Sequence, residues 1–338
     1  MLIRKTLLSA ASLCGGGISV RLLIKMTGQK VIFPFYHVVS DAYLSHIHHL
    51  YRPKTTFQFI KDLDFILKNY NPMDIKDVIL YRDAGHKSSK PSFFLSFDDG
   101  LKEFYEIIAP ILLKKGIPAA CFLNAAFIDN KDLFYRYKAS LLCENFLKQN
   151  KDYDNPKVKE WVKNHKYKSP EKILLSLPYQ KKEDIDALAL LVGFDFKSYL
   201  AVEKPYMTSE QISKLSSQGF SFGGHSIDHP MYGSISLSEQ IRQTALSLDW
   251  LKDNIDQKYR MFAFPFTDFG VKSSFYKHFE EVDLIFGTAG LKQTAVKNHL
   301  QRIAMESADF SGENIIKAEY LHYVLKSMVG KNNFSGYD

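Results

Sequence analysis

Short apolar runs alternate with longer amphipathic ones along most of the chain. Residues 31–39 form a β-rich apolar run and read as a buried strand. Residues 56–69 set Phe57, Phe59, Ile60, Leu63, Phe65, Ile66 and Leu67 among Lys and Asp. That spacing predicts an amphipathic helix beginning at Thr55 or Thr56. Residues 92–97 repeat the strand pattern and end at Asp98-Asp99-Gly100. A helical pattern through Ile107, Ile108, Ile111, Leu112 and Leu113 stops at Gly116, with Pro118 beyond, and residues 119–124 read as a third strand.

Between about 130 and 205 the rhythm changes to a Lys-rich, helical pattern punctuated by Pro156, Pro170 and Pro178. This stretch reads as an insertion on the main fold. Alternation then resumes with a helix after Ser209, a strand at 220–223, a helix across 238–250 and a strand at 261–266. Strands near 284–288 and 300–305 and a closing helix from about Glu313 complete it. Strand–helix–strand order predicts an α/β fold of right-handed units around a parallel sheet.

Composition narrows the class. The chain has 338 residues, 46% hydrophobic and 24% charged, which excludes a disordered, collagen-like or coiled-coil protein. Cys14, Cys121 and Cys143 have neither the number nor the spacing for a disulfide framework or a thiolate zinc site. The net charge of +7 is concentrated at the start, where Arg4, Lys5, Arg21, Lys25 and Lys30 precede the first acidic residue, Asp41. The remainder is nearly neutral, which argues against a nucleic-acid partner. The uncharged run from Thr6 to Val20 is shorter than the roughly 20 residues that span a bilayer. Residues 1–30 therefore read as a basic, apolar segment on an anionic membrane surface, with a cleaved signal or a packed helix as alternatives. The body runs from 31 to 338. The expected setting is membrane-associated, at the cell envelope or the cytoplasmic face.

Candidate chemistry lies where strands meet loops, the edge on which parallel α/β folds build their sites. Ser96-Phe97-Asp98-Asp99-Gly100 puts two carboxylates at a strand end, although a plain Asp-Gly turn also suits it. His225 and His229, four residues apart after Gly223-Gly224, suit one divalent ion or a surface loop. Phe262-Ala263-Phe264-Pro265-Phe266 alone reads as core. One carboxylate and two neutral imidazoles leave a fourth position open, the layout of a catalytic metal.

In this order the motifs resemble the polysaccharide deacetylases with NodB homology (carbohydrate esterase family 4), over roughly residues 31–125 and 205–306. The resemblance implies a distorted (β/α)7-type barrel with a helical insertion, and one divalent metal, zinc with cobalt or nickel as substitutes. It implies Asp98 as catalytic base, Asp99, His225 and His229 as metal ligands, and the Phe266 N–H in the oxyanion site. The arginine that the family sets before the third-motif proline is absent, with Ala263 in its place, and so is the late Leu-x-His motif. Tyr36-His37 instead looks like the poly-N-acetylglucosamine deacetylase subset, which makes His37 the expected general acid. Tyr135 and Arg136 are candidate substrate contacts, aromatic and basic groups suited to a sugar face or an anion. The expected activity is removal of an N-acetyl group from an amino sugar of an envelope glycan or exopolysaccharide. A lipid-linked amino-sugar deacylase or deformylase and a non-catalytic glycan-binding barrel are the alternatives.

Overall fold

The computed structural model describes residues 18–85, 87–149, 154–165 and 167–337. Its strands are β1 (Val31–Ile32), β2 (Pro34–Tyr36), β3 (Asn71–Pro72), β4 (Ser92–Phe93), β5 (Leu95–Phe97), β6 (Ala119–Leu123), β7 (Ser221–Gly224), β8 (Met261–Ala263), β9 (Leu284–Gly287), β10 (His299–Gln301) and β11 (Ile303–Ala304). All pair in parallel, with the main order β10-β9-β8-β7-β6-β5-β2-β11. Only Arg302 separates β10 from β11, and the two halves pair with opposite edges of the sheet. One bent final strand thus closes a distorted (β/α) barrel.

Period-two alternation sorts the side chains. Phe94, Ala120, Phe122, Met261, Ala263, Leu284 and Phe286 pack together in one cluster inside the barrel, whereas Leu95, Phe97, Cys121, Phe222, Phe262 and Ile285 pack outward against the helices. The helix Thr56–Asn69 starts at a Thr55/Gln58 capping box, and the helix Ala109–Lys115 ends at Gly116 in the left-handed region, as the sequence pattern predicts. Residues 104–108 wind as a π-turn before that helix. Residues 70–91, which show no clear periodicity, form β3 and the helix Ile75–Ala84, whose Val78 joins the interior cluster with Met73.

The insertion carries the helices Tyr135–Lys148, Pro156–Lys163, Pro170–Ser176, Glu183–Val192 and Phe196–Glu203. Pro156 and Pro170 sit at helix starts behind Asn155 and Ser169 caps, where proline's missing N–H costs nothing. Their apolar faces share one cluster with Val38, Ile47, Leu101 and Tyr206 of the barrel, so the insertion packs on the barrel's mouth. The N-terminal helix Val20–Thr27 buries Val20, Leu23 and Ile24 and leaves Leu22 and Met26 exposed. Residues 1–17 lie outside the described residues. Among those described, no helix is long and apolar enough to cross a membrane.

Candidate active site

Asp98 continues the inward row of Phe94 and Ser96 beyond the end of β5. Its carboxylate oxygens accept from both terminal nitrogens of Arg302, at 2.7 and 2.8 Å. Arg302 is wholly buried, donates also to the Ser96 hydroxyl at 3.2 Å, and lies 4.2 Å from the centre of the Phe35 ring. Burial alone would raise the pKa of Asp98, but Arg302 and the nearby imidazoles outweigh it and hold the carboxyl below its ordinary value. The group is an ionised, oriented carboxylate.

Asp99 faces elsewhere. Its φ of 73° and the φ of 68° at Gly100 turn the chain through the left-handed region. A Cβ at Gly100 would stand 2.8 Å from a Leu123 methyl carbon, so space and conformation both call for glycine. Asp99 accepts from the Tyr137 hydroxyl at 2.9 Å, and its other oxygen lies 3.3 Å from His229 Nε2 and 3.6 Å from His225 Nε2.

The two histidines sit in a loop after β7, not on a helical turn, with Ser226 and His229 at φ 72° and 65°. Phe266 joins them at φ 58°, and for so bulky a residue that conformation is an outlier. Positive φ at Asp99, Ser226, His229 and Phe266 places backbone strain around this one mouth. His225 Nδ1–H donates to the Ala263 carbonyl at 2.8 Å, which leaves its Nε2 lone pair free to face the centre. Burial pushes the pKa of His225 down to about 4, so the ring is neutral. The ligating atoms of Asp99, His225 and His229 all lie within 4.8 Å of one another. Asp99 Oδ1, His225 Nε2 and both His229 ring nitrogens are buried without a hydrogen-bond partner. One such atom from each of the three residues converges on a single point, which fits a divalent cation, and N/O donors of this kind suit zinc and its neighbours.

A cavity of about 460 Å³ opens over this centre, lined by His37, Leu50, Tyr51, Asp98, Asp99, Phe134, Arg136, Tyr137, His229 and Phe266, and further by Thr288 and Glu306. His37 follows β2, and its Nδ1 lies 2.6 Å from Glu306 Oε2, while Glu306 Oε1 accepts the His37 N–H. Burial disfavours the imidazolium, but Glu306 more than offsets it and raises the pKa of His37 to about 10. No described residue accepts the Phe266 N–H. The structure thus brings Asp98, Asp99, His225, His229, His37 and Phe266 to one mouth. Of the two candidate substrate contacts, Arg136 lines the cavity, while Tyr135 is buried edge-on against Tyr179.

A family profile described as polysaccharide deacetylase matches residues 85–277. The chain belongs to that family. It is a hydrolase of the kind that removes acetyl groups from polysaccharides. No curated protein sequence matches the chain. Among solved structures, the deacetylase PplD of Streptococcus pyogenes aligns with a TM-score of 0.55 at 14% identity, covering 86% of this chain and 98% of its own. IcaB of Ammonifex degensii aligns with a TM-score of 0.51 at 14% identity over the same shares. The Bacillus cereus polysaccharide deacetylase BC0361 gives 0.51 at 12% identity, with 86% and 69% covered. At these identities the likeness establishes a shared fold.

Three groups of this deacetylase's site were not singled out from sequence. Arg302 reaches Asp98 from the final strand, while Ala263, at the family's arginine position, is too short to reach it. A charged residue amid the strand-forming Leu300-Gln301-Arg302-Ile303-Ala304 is the signal, since a buried arginine needs an acidic partner. Glu306 is the second. The β2–β11 register pairs Pro34 with Ile303 and Phe35 with Ala304, and two steps further His37 faces Glu306. Tyr137, from the insertion, is the third, and no local pattern marks it. His299, which departs from the family's late motif, is buried against Asp268 and the Tyr337 hydroxyl, away from the cavity lining.

Proposed function

We propose that this chain is a metal-dependent deacetylase acting on N-acetylated amino sugars of an envelope or extracellular glycan. The observation that carries the reading is the pairing of two unlike centres. Partnerless ligand atoms of Asp99, His225 and His229 adjoin an ion-paired Asp98, with His37 in the same cavity. When bound at those three residues, a divalent ion supplies Lewis-acid polarisation of the acyl group and lowers the pKa of water. Asp98, ionised and aimed by Arg302, accepts the proton of the attacking water. The Phe266 N–H, held by its left-handed backbone, donates to the developing oxyanion. His37, kept protonated by Glu306, donates to the departing amine. Phe134 and Tyr51 wall the cavity with aromatic surface.

The test is release of free amine from N-acetylated chito- and β-1,6-linked oligosaccharides by the full chain with zinc or cobalt. Amine release that disappears in His229→Ala supports the reading. Undiminished release in that variant overturns the metal assignment, and no release from any oligosaccharide with any divalent metal overturns the activity.

A second reading takes a lipid-linked amino sugar as substrate. It is favoured by the exposed Leu22 and Met26 beside Arg21 and Lys25 on the N-terminal helix, a face suited to an anionic membrane surface. Turnover of the lipid-linked sugar without turnover of soluble oligosaccharide selects it. A barrel that only binds glycan is disfavoured, because Arg302 restores the partner of the base that the third motif lacks.

A further inference from the structure

We infer that the active-site cavity contains a subsite for an anionic group on the substrate, a phosphate or a carboxylate, recognised by Arg136. The inference rests on the proposed deacetylase reading and extends it to the substrate's charge. The cavity's carboxylates are Asp98, Asp99 and Glu306. Asp98 is held by Arg302, Glu306 by His37, and Asp99 lies against Tyr137 and the two ligand histidines. Its cationic groups are His37 and Arg136, and His37 is committed to Glu306.

Arg136 is different. It is half-buried at the start of the helix Tyr135–Lys148, and among the described residues it forms no ion pair. One terminal nitrogen donates to the Leu175 carbonyl at 3.2 Å, and the Tyr135 hydroxyl lies beside the guanidinium; both neighbours are neutral. Other insertion lysines nearby are neutralised, Lys138 by Asp132 and Asp186 and Lys182 by Asp228. A guanidinium has five N–H donors in a planar fork that matches carboxylate and phosphate oxygens, and most of them remain unspent here. A partly desolvated cation without a counter-charge is unfavourable unless a ligand supplies one. Leu50, Tyr51 and Phe134 make the rest of that wall apolar or aromatic, suited to a sugar face but not to water. Arg136 is a partner of neither Asp98 nor His37, so recognition and chemistry use separate groups.

The experiment compares methyl N-acetylglucosaminide, N-acetylglucosamine 1-phosphate, a prenyl-phosphoryl N-acetylglucosamine and a carboxylated N-acetyl oligosaccharide as substrates of the metal-loaded full chain. We expect kcat/KM for the anionic probes to exceed that for the neutral glycoside by roughly tenfold or more, as charge-assisted hydrogen bonds allow. That ratio should collapse in Arg136→Gln and return in part in Arg136→Lys. A further gain on the prenyl probe over the free phosphate assigns the anion to a lipid carrier. Equal values assign it to a soluble phosphosugar, and a gain confined to the carboxylated oligosaccharide assigns it to an acidic glycan. An anionic-to-neutral ratio near one in the unsubstituted chain, or the same ratio in Arg136→Gln, overturns the inference while leaving the deacetylase reading intact. If no probe is turned over, NMR-detected binding of N-acetylglucosamine 1-phosphate decides it: binding lost in Arg136→Gln supports the subsite and removes the reaction, and binding indifferent to Arg136 removes the subsite.

Discussion

Asp98 and Asp99 are adjacent in the chain, equally hidden from solvent and identical in chemistry, yet their surroundings differ. Asp98 has a full counter-charge in Arg302, with two short hydrogen bonds and a third contact from the same guanidinium to Ser96. Asp99 has one neutral hydroxyl and two imidazoles, and one of its oxygens accepts nothing. The first arrangement is complete within the protein: it keeps a carboxylate charged and still. The second is complete only with a cation. The difference arises from one backbone step, because the left-handed φ at Asp99 turns its side chain out of the barrel's inward row. Three ligand atoms, one each from Asp99, His225 and His229, left without partners in a buried place would be costly in a finished structure, at about 1–3 kcal/mol each. Their convergence is therefore better explained as a site than as a defect.

The comparison breaks first at Asp99. Asp99→Ala and His229→Ala should abolish bound metal, measured by elemental analysis, and reduce kcat/KM by about a thousandfold or more. Added zinc should raise the melting temperature of the unsubstituted protein, because ligand that binds only the folded state stabilises it by about 2.7 kcal/mol at a hundred times its Kd. Both variants should lose that response. A variant that keeps its zinc response while losing turnover would move Asp99 from ligand to base.

Breaking the other centre should look different. Arg302→Met should retain metal but destabilise the fold by about 3–5 kcal/mol, since it strands a buried carboxylate. Asp98→Asn combined with Arg302→Met should recover part of that loss, which a double-mutant cycle in denaturant would read. The pH dependence follows from the same pair. A carboxylate whose folded pKa is depressed stabilises the fold above its unfolded value, about 3.9, and that stability is lost as pH falls through the lower folded value. The unsubstituted protein should therefore lose stability below about pH 4, whereas in Arg302→Met, where burial raises the carboxyl's pKa, the destabilisation should shrink as pH falls and the group takes up its proton.

How much of this was legible beforehand depended on sequence distance. Asp98-Asp99 and His225…His229 are compact motifs at strand ends, and the strand–helix alternation that places them is local, so both could be read directly. His37 could be read by resemblance, because it stays within three residues of its strand. Arg302 and Glu306 could not. Each is an isolated charge, some two hundred residues or more from its partner, and it meets that partner only because the final strand closes the barrel between β9 and β2. Closure is a property of all seven staves together, invisible to any window of periodicity. The insertion shows the same limit. Its helices were foreseeable from proline punctuation and pattern, but nothing local says that Tyr137 reaches back to Asp99.

Glu306 offers a smaller and more selective perturbation. Glu306→Gln should lower kcat/KM by about ten- to a hundredfold near pH 8, less than the roughly 10²–10⁴ that a positioned acid contributes, because His37 itself remains. The sign is set by His37. Its raised pKa, about 10, keeps the ring protonated through neutral pH, contributes stability that is complete below about pH 6.5, and loses it as pH rises through 10. Without the carboxylate, burial is opposed only by the charges of Asp99 and Asp98, so the pKa falls and the alkaline limb of kcat/KM should move toward neutral pH. An alkaline limb that does not move would remove His37 from the role of acid.

The smallest expected effect lies at Tyr137, and it sharpens the contrast between the two aspartates. Tyr137→Phe removes one hydroxyl, 2.9 Å from Asp99, and leaves the ring packed edge-on against Phe134. If Asp99 serves only to hold the cation, losing this outer partner should weaken metal affinity by about tenfold and leave kcat at saturating metal within about threefold. Metal titration of turnover separates the two quantities. If kcat at saturating metal instead falls as far as it does in Glu306→Gln, the hydroxyl acts on the reacting groups themselves. The insertion would then belong to the chemistry, not merely to the wall around it.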